Sequence, residues 1–213
     1  CESGVLLSDI LEFAVPLGWF LSVTPGTQYV TVGGAIANDV HGKNHHRVGT
    51  FGNFLHRFEL MRSDGSHLIC SAEENTDWYQ ATIGGLGLTG LILWAEIQLK
   101  PISNPYITME SIRFDTLTDF EELSASSDQG FEYTVAWIDC QASGRSIGRG
   151  IFMRGNHADT VPVRYPPLPK KNGFSIPPVV PGWLLNRVSM KLFNSLYYWR
   201  HFSRHRHATT PYL

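Results

Sequence analysis

Between Val23 and Asn53 the chain reads Val-Thr-Pro-Gly-Thr-Gln-Tyr-Val-Thr-Val-Gly-Gly-Ala-Ile-Ala-Asn-Asp-Val-His-Gly-Lys-Asn-His-His-Arg-Val-Gly-Thr-Phe-Gly-Asn, and seven of these positions are glycine or proline. Glycine loses more backbone entropy on folding than any other residue. A run this dense therefore indicates tight turning, or main chain pressed against something that leaves no room for a Cβ. Thr31 ahead of Val32-Gly33-Gly34-Ala35-Ile36-Ala37 predicts an N-cap and the first turns of a short helix. The leading amides of such a helix have no intrahelical partner and suit an anionic group. An ordinary loop–helix–loop is the plainer reading, and it leaves the Gly-Gly pair at the helix start without a reason.

Composition narrows the class. A chain of 213 residues with 43% hydrophobic and 17% charged residues has enough apolar material for one large core or two small ones. A formal charge of −2 argues against a general nucleic-acid binder. No apolar run approaches the length of a membrane span. Three cysteines, Cys1, Cys70 and Cys140, are odd in number and far apart, which points to a reducing compartment and not to a disulfide framework. Cys1-Glu2-Ser3-Gly4-Val5 reads as the tail of a strand, there is no initiator Met, and Thr210-Pro211-Tyr212-Leu213 shows no closing element. An internal fragment of a longer protein is expected.

Ser8 to Leu17 predicts a helix capped by Ser8 and stopped by Gly18, followed by a brief strand from Trp19 to Val23. Leu55–Arg62 and His67–Cys70 flank a Ser-Asp-Gly-Ser turn and predict a hairpin. Thr76–Ile83 predicts a short capped helix, and Leu91–Leu99 a single alternating strand. The Gly84-Gly85-Leu86-Gly87-Leu88-Thr89-Gly90 run between them follows a helix and opens a strand, the reverse of a dinucleotide-binding fingerprint, so that reading is rejected. Pro101–Pro105 is a boundary. Beyond it come a strand over Tyr106–Phe114, a helix over Leu117–Ser124, strands over Phe131–Asp139 and Gly150–Arg154, a proline-rich exposed loop from His157 to Gly182, and an amphipathic helix over Trp183–Phe202 with a basic tail. The fold class is α+β, with domains at 1–101 and 102–213.

Pro-Gly-Thr, Thr-Val-Gly-Gly-Ala-Ile-Ala, His41-Gly42-Lys43-Asn44-His45-His46 and Gly-Thr-Phe-Gly-Asn together resemble the FAD domain of vanillyl-alcohol-oxidase (PCMH) type flavoproteins. Within that family the chain is most similar to the decaprenylphosphoryl-ribose oxidase branch, whose members form the flavin half of an epimerase. The resemblance implies the C-terminal part of a PCMH-type FAD-binding domain in 1–101 and the start of an antiparallel-sheet substrate domain in 102–213. It implies that Gly26, Thr31, Val32, Gly33 and Gly34 wrap the FAD pyrophosphate and flavin edge. His41, Gly42, Lys43 and Asn44 would lie beside the flavin ring, with His41 and Lys43 acting in catalysis, and Leu91 or Ile92 would offer main chain to the cofactor. Trp137 would face the substrate. Val135 stands where the branch has a small polar residue, a departure that bears on which sugar is bound. The branch's first phosphate loop would precede Cys1, and its catalytic Lys and Tyr would follow Leu213.

Each of these residues also has a plainer reading. His41, His45 and His46 lack a Cys or acidic partner at ligand spacing, so no metal is expected. Lys43 would otherwise be a solvated surface lysine, Trp137 a core residue and Cys140 a buried apolar one. Two function classes stand. One is an FAD-dependent oxidoreductase acting on a sugar carbinol, either C2 of a lipid-linked pentose, with a reductase partner completing an epimerisation, or an alditol or aldonolactone. The other is a non-catalytic binding module. The C-terminal helix either packs on the substrate domain or leans on an anionic membrane. The protein is expected in the cytoplasm, on the inner membrane face, or in the periplasm.

Overall fold

The computed structural model describes residues 1–159, 186–201 and 203–211. The chain divides into two units, Cys1–Ser103 and Asn104–Leu213. Most of the expected proline-rich loop, and the Trp183 start of the expected last helix, lie outside the described residues.

The first unit opens with residues that pair beside a later strand. Ala95 N donates to the Cys1 carbonyl at 2.9 Å and Ser3 N to the Leu93 carbonyl at 3.0 Å, so the chain start does run as a strand-like edge. Helix α1 (Leu7–Ala14) begins before Ser8, and a 3-10 turn carries it to Gly18 at φ 82°. Ser8 is not its cap. The Leu7 and Ser8 amides already donate to the carbonyls of Val30 and Gln28, and Leu7 is fully buried, so tertiary packing sets the start. Strand β1 (Trp19–Leu21) leads to α2 (Val32–Ala37), where Thr31 caps as expected, its hydroxyl accepting from Gly34 N at 3.1 Å.

A one-turn helix α3 (His45–Val48) precedes the hairpin β2 (Leu55–Met61) and β3 (His67–Ser71). Helix α4 (Thr76–Thr82) follows, and β4 (Leu91–Ile97) joins the other edge of β2, giving the sheet order β3-β2-β4. The expected single strand to Leu99 is two. Gln98 N donates to the Phe54 carbonyl and its own carbonyl accepts the Ser22 hydroxyl at 2.8 Å, which turns the chain into β5 (Leu99–Pro101), the antiparallel partner of β1. A register shift between Glu59 and Leu60 breaks the alternation in β4. Ile92 and Ala95, three apart, are buried and Leu91 is exposed.

In the second unit β6 (Tyr106–Phe114), α5 (Leu117–Ser127), β7 (Tyr133–Ile138) and β8 (Gly150–His157) follow the expected order. Thr116 and Asp119 form a capping box at α5. Phe120 from α5 fills the space between Phe114 and Phe152, its ring 5.8 and 6.0 Å from theirs. His157 is the last residue of β8 and Ala158 is buried, so the expected exposed loop does not begin there. Helix α6 (Arg187–Trp199) is capped by Asn186. The basic tail is also structured. It forms β9 (His205–Pro211) on the free edge of β6, completing the antiparallel order β7-β8-β6-β9. The sequence from Arg204 to His207 carries charge where strand patterning would show apolar alternation, so the edge strand is missed.

Candidate functional site

The glycine-dense stretch folds into a loop fastened on both sides. Across its neck Gly52 N donates to the Asp39 carboxylate at 2.9 Å, Phe51 N to the Val40 carbonyl at 2.9 Å, and His41 bridges Thr50. Asp39 takes φ 40°, a conformation that an Asp tolerates through local hydrogen bonding. Past this neck, Gly42 lies flat on the main chain of Thr24. A Cβ there would stand 2.1 Å from the Thr24 carbonyl oxygen, a backbone atom with nowhere to move. Lys43 N donates to that same oxygen at 3.1 Å.

Asn44 is fully buried; its Nδ2 donates to the Ser22 carbonyl at 2.7 Å and its Oδ1 accepts from Thr24 N at 3.4 Å. Both ends of its side chain therefore hold protein main chain, so it serves as a latch and not as a direct ligand contact. His41 and Lys43, on either side of Gly42, are exposed, and His41 meets His45 edge-on at 5.3 Å. Residues 41–47 carry His41, Lys43, His45, His46 and Arg47 and no carboxylate.

The helix start departs from expectation. Val32 N donates to the Val5 carbonyl at 2.9 Å, Gly33 N to the Ser3 carbonyl at 2.8 Å, and Gly34 N to its Thr31 cap. The amides of Val32 and Gly33 are thus occupied by the chain start and that of Gly34 by the Thr31 cap, so none of the three is left open for a phosphate. The glycines are explained by the same contact. A Cβ at Gly33 would sit 3.0 Å from the Ser3 Cβ, and one at Gly34 3.0 Å from Thr31 Oγ1. Gly26 is different, because a Cβ there would meet nothing within 4 Å. Beside it Thr24 Oγ1 is buried and has no hydrogen-bond partner among the described residues. Sequence reasoning passed over Thr24 and Asp39. Their importance depends on neighbours 13 to 20 residues away, which local pattern does not show.

The second glycine run docks on the end of α2. Gly84 N donates to the Ile36 carbonyl at 3.0 Å and Leu86 N to the Ala37 carbonyl at 2.8 Å, bringing the two glycine clusters together. Leu86, Leu88 and Leu91 are exposed here, while Ile92 is buried. Leu91 and Ile92 pair with Met61 and Leu60 of β2.

Trp137 belongs to the second unit, on β7, half-buried with its ring 4.8 Å from Tyr197 of α6 and edge-on to it. Val135 on the same strand is exposed. Nearby, Asp139 is buried and accepts from Arg149 Nη2 at 2.8 Å, Asn194 Nδ2 at 2.7 Å and Gln141 N at 3.0 Å. Burial would push this carboxyl up, but the hydrogen bonds of Arg149 and Asn194 outweigh it and hold Asp139 below the usual range. Cys140, expected as a buried apolar residue, is exposed. Among the described residues no three His, Cys, Asp or Glu side chains gather as metal ligands.

Residues 1–71, which include the whole fastened loop, match the family model for the FAD binding domain. Those residues carry a PCMH-type FAD-binding domain. It is 34% identical over 92% of its length to decaprenylphosphoryl-beta-D-ribose oxidase of Mycolicibacterium smegmatis, covering 45% of that protein. It is 37% identical over 87% of its length to an uncharacterized Streptomyces coelicolor protein from the mprA 5' region, covering 51% of it. Human delta(24)-sterol reductase is 29% identical over 58% of the chain and is covered to 23%. The chain thus spans about half the length of the first two relatives.

FAD is the family's cofactor, and the residues present fit it. The open face over Gly26, the orphaned Thr24 hydroxyl and the acid-free cationic run from His41 to Arg47 suit a dianionic pyrophosphate and a flavin that gains negative charge on reduction.

Proposed function

We propose that the whole protein is an FAD-dependent oxidoreductase that removes hydride from a sugar carbinol, at C2 of a polyprenyl-phosphate pentose, with a reductase as the partner that completes an epimerisation. The observation that carries this reading is the His41–Asn44 segment, pinned to Thr24 by Gly42 and by the Asn44 latch, with His41 and Lys43 both exposed on either side of Gly42. The likeness to decaprenylphosphoryl-beta-D-ribose oxidase supports the substrate class.

When bound, FAD supplies the hydride acceptor. The chain's own residues do the rest. Gly26 gives the cofactor close approach to the main chain, and Thr24 Oγ1 provides a hydroxyl beside it. The Lys43 ammonium would supply positive charge to a flavin that gains negative charge on reduction. His41 offers a ring nitrogen as hydrogen-bond partner, in an orientation that the bridge to Thr50 and the His45 ring hold. Gly42 and Asn44 position this pair without touching the reacting atoms. Trp137 on β7 is the second unit's candidate sugar contact.

The test is anaerobic reduction of the full-length flavoprotein, followed by loss of flavin absorbance. Bleaching by a short-chain polyprenyl-phosphate ribose, and not by aldonolactones or alditols, is the expected result. Bleaching by an aldonolactone alone would move the substrate to that class. A purified protein without flavin absorbance would leave the binding-module reading in its place.

A further inference from the structure

Helix α6 is amphipathic in the opposite sense to a helix packed by its apolar stripe. The residues that face its own sheet are Asn194 and Tyr198, both buried. Asn194 bonds Asp139, Ser195 accepts from Arg149 Nη2 at 3.0 Å, and the Tyr198 hydroxyl donates to the Asp115 carboxylate. This polar and aromatic face is enough to fix the helix. Most of the apolar stripe points the other way, and only Trp199 among its residues also meets the sheet, with the Arg113 guanidinium 4.6 Å from its ring centroid. Val188 is 78%, Leu192 60%, Leu196 64% and Trp199 53% exposed, and Phe193 beside them 59%. At about 100° per residue, Val188, Leu192, Leu196 and Trp199 share an arc of roughly 80°, centred about 140° from Asn194 and Tyr198. Arg200 lies about 40° beyond one edge of this arc and Lys191 about 60° beyond the other, between Tyr198 and Ser195 on the wheel, and both are exposed.

The charge of the surrounding sequence indicates what covers such a face. All 19 Asp and Glu residues lie at or before Asp159, together with nine of the 17 Lys and Arg. The 54 residues beyond Asp159 hold the other eight cations and no carboxylate. A net charge of only −2 conceals this asymmetry. A cationic segment that also presents Leu, Val, Phe and Trp to solvent fits an anionic lipid surface. A nucleic acid would leave the aliphatic side chains without a partner, whereas an interface seats them among acyl chains and keeps the flanking cations at the phosphates.

We infer that α6 is an interfacial helix, with Val188, Leu192, Leu196 and Trp199 entering the headgroup boundary of an anionic bilayer and Lys191 and Arg200 binding its phosphates. The helix is about 20 Å long, so it lies in the interface plane and does not cross. Among the described residues no helix is long and apolar enough to span a membrane. This inference goes beyond the proposed reaction and stands without it. If both hold, the same protein leans on the surface that carries its lipid-linked substrate.

The experiment is flotation of the full-length flavoprotein with phosphatidylcholine vesicles, with and without phosphatidylglycerol, at low and high salt. Binding is expected only with the anionic lipid and is expected to fall with salt. The K191Q/R200Q pair should weaken it roughly 30-fold, from two surface cations at about fivefold each. The L192S/L196S pair should weaken it about 100-fold or more, since two leucines no longer enter the lipid. Both pairs alter exposed side chains, so flavin content and melting temperature should match the unaltered protein. Brominated lipid gives a second readout, in which Trp199→Phe removes the quenching of the unaltered protein. Absence of flotation at low salt, equal binding to neutral vesicles, or a dimer that L192S/L196S dissolves would each overturn the inference. Sugar-dependent flavin bleaching measured in detergent is independent of all three outcomes, so it can fail or succeed separately.

Discussion

Replacing Asn44 by alanine tests the latch that fixes the candidate site. The residue is fully buried, and its amide joins two main-chain groups of the strand end, donating to Ser22 O at 2.7 Å and accepting from Thr24 N at 3.4 Å. Truncation leaves both groups buried and unpaired. The short bond should cost about 1–3 kcal/mol, and the longer one less than about 1 kcal/mol. The hole left by the amide adds about a methylene's worth of lost packing, so roughly 2–4 kcal/mol is expected in all. With a urea dependence of about 1–3 kcal/mol per molar, the unfolding midpoint of the first unit should drop by about 1–2 M. Asn53→Ala is the control. That side chain is exposed and among the described residues bonds only Val48 O, so its loss should stay within about 0.5 kcal/mol. Asn44→Asp separates the two bonds. It keeps the acceptor for Thr24 N but sets a carboxyl against the Ser22 carbonyl, which only the protonated acid can satisfy. The pKa of the introduced carboxyl is raised in the folded state, so its penalty should be small below about pH 4 and grow as pH rises. If Asn44→Ala unfolds with the same midpoint as Asn53→Ala, the latch does not hold the loop and the argument for a prearranged His41–Lys43 pair fails.

The remaining expectations separate cofactor contact from fold. Gly26→Leu should leave urea stability unchanged, because nothing lies within 4 Å of a Cβ there, yet lower flavin retention on gel filtration; unchanged retention would move the cofactor away from this turn. Gly42→Ala should lower both stability and flavin content, since the new methyl group meets main chain at 2.1 Å. Lys43→Gln and His41→Ala should retain flavin but slow anaerobic flavin reduction by tenfold or more, in line with loss of one positioned electrostatic or proton-handling group. Below about pH 4 the second unit should lose stability as the depressed Asp139 carboxyl is protonated. The sign follows from linkage: the contribution is present above the ordinary carboxylate value and is lost as pH falls through the lower folded one. Asp139→Asn, followed by α6-sensitive fluorescence, should remove that acid limb.

What sequence could and could not show follows from where each constraint acts. Thr31 as a cap, Gly18 as a stop and the Ser63–Ser66 hairpin are local, resting on residues within a few positions of one another, and each appears where expected. The glycine stretch announced close approach, but not what approaches. At Gly33 and Gly42 the crowding group is protein, Ser3 in one case and Thr24 in the other, and only the folded chain distinguishes that from a ligand. The Val32–Gly34 amides illustrate the same limit. A helix start reads as an anion site until another segment supplies the carbonyls, and here Val5 and Ser3 supply them to Val32 and Gly33 from about 30 residues away, while Thr31 caps Gly34.

Helix α6 carries this furthest. Its 3.6-residue periodicity is plain in the sequence, but periodicity states that two faces differ and says nothing of which one turns inward. The usual inference, apolar side in, assumes that the rest of the unit offers an apolar surface. Here it offers Asp139, Arg149 and Asp115, and a helix set against those groups gains more by presenting Asn194, Ser195 and Tyr198 than by presenting leucine. An unpaired buried carboxylate or guanidinium would cost several kcal/mol, whereas exposed leucines cost only the transfer free energy they fail to gain. The polar triad thus decides the orientation. An exchange of sides would need Asp139 and Arg149 to be removed together. The double substitution D139L/R149M is accordingly expected to weaken lipid flotation more than either of the vesicle-facing cations does alone, although neither altered residue lies on the exposed face. Unchanged flotation would mean that the polar network follows the helix orientation and does not set it.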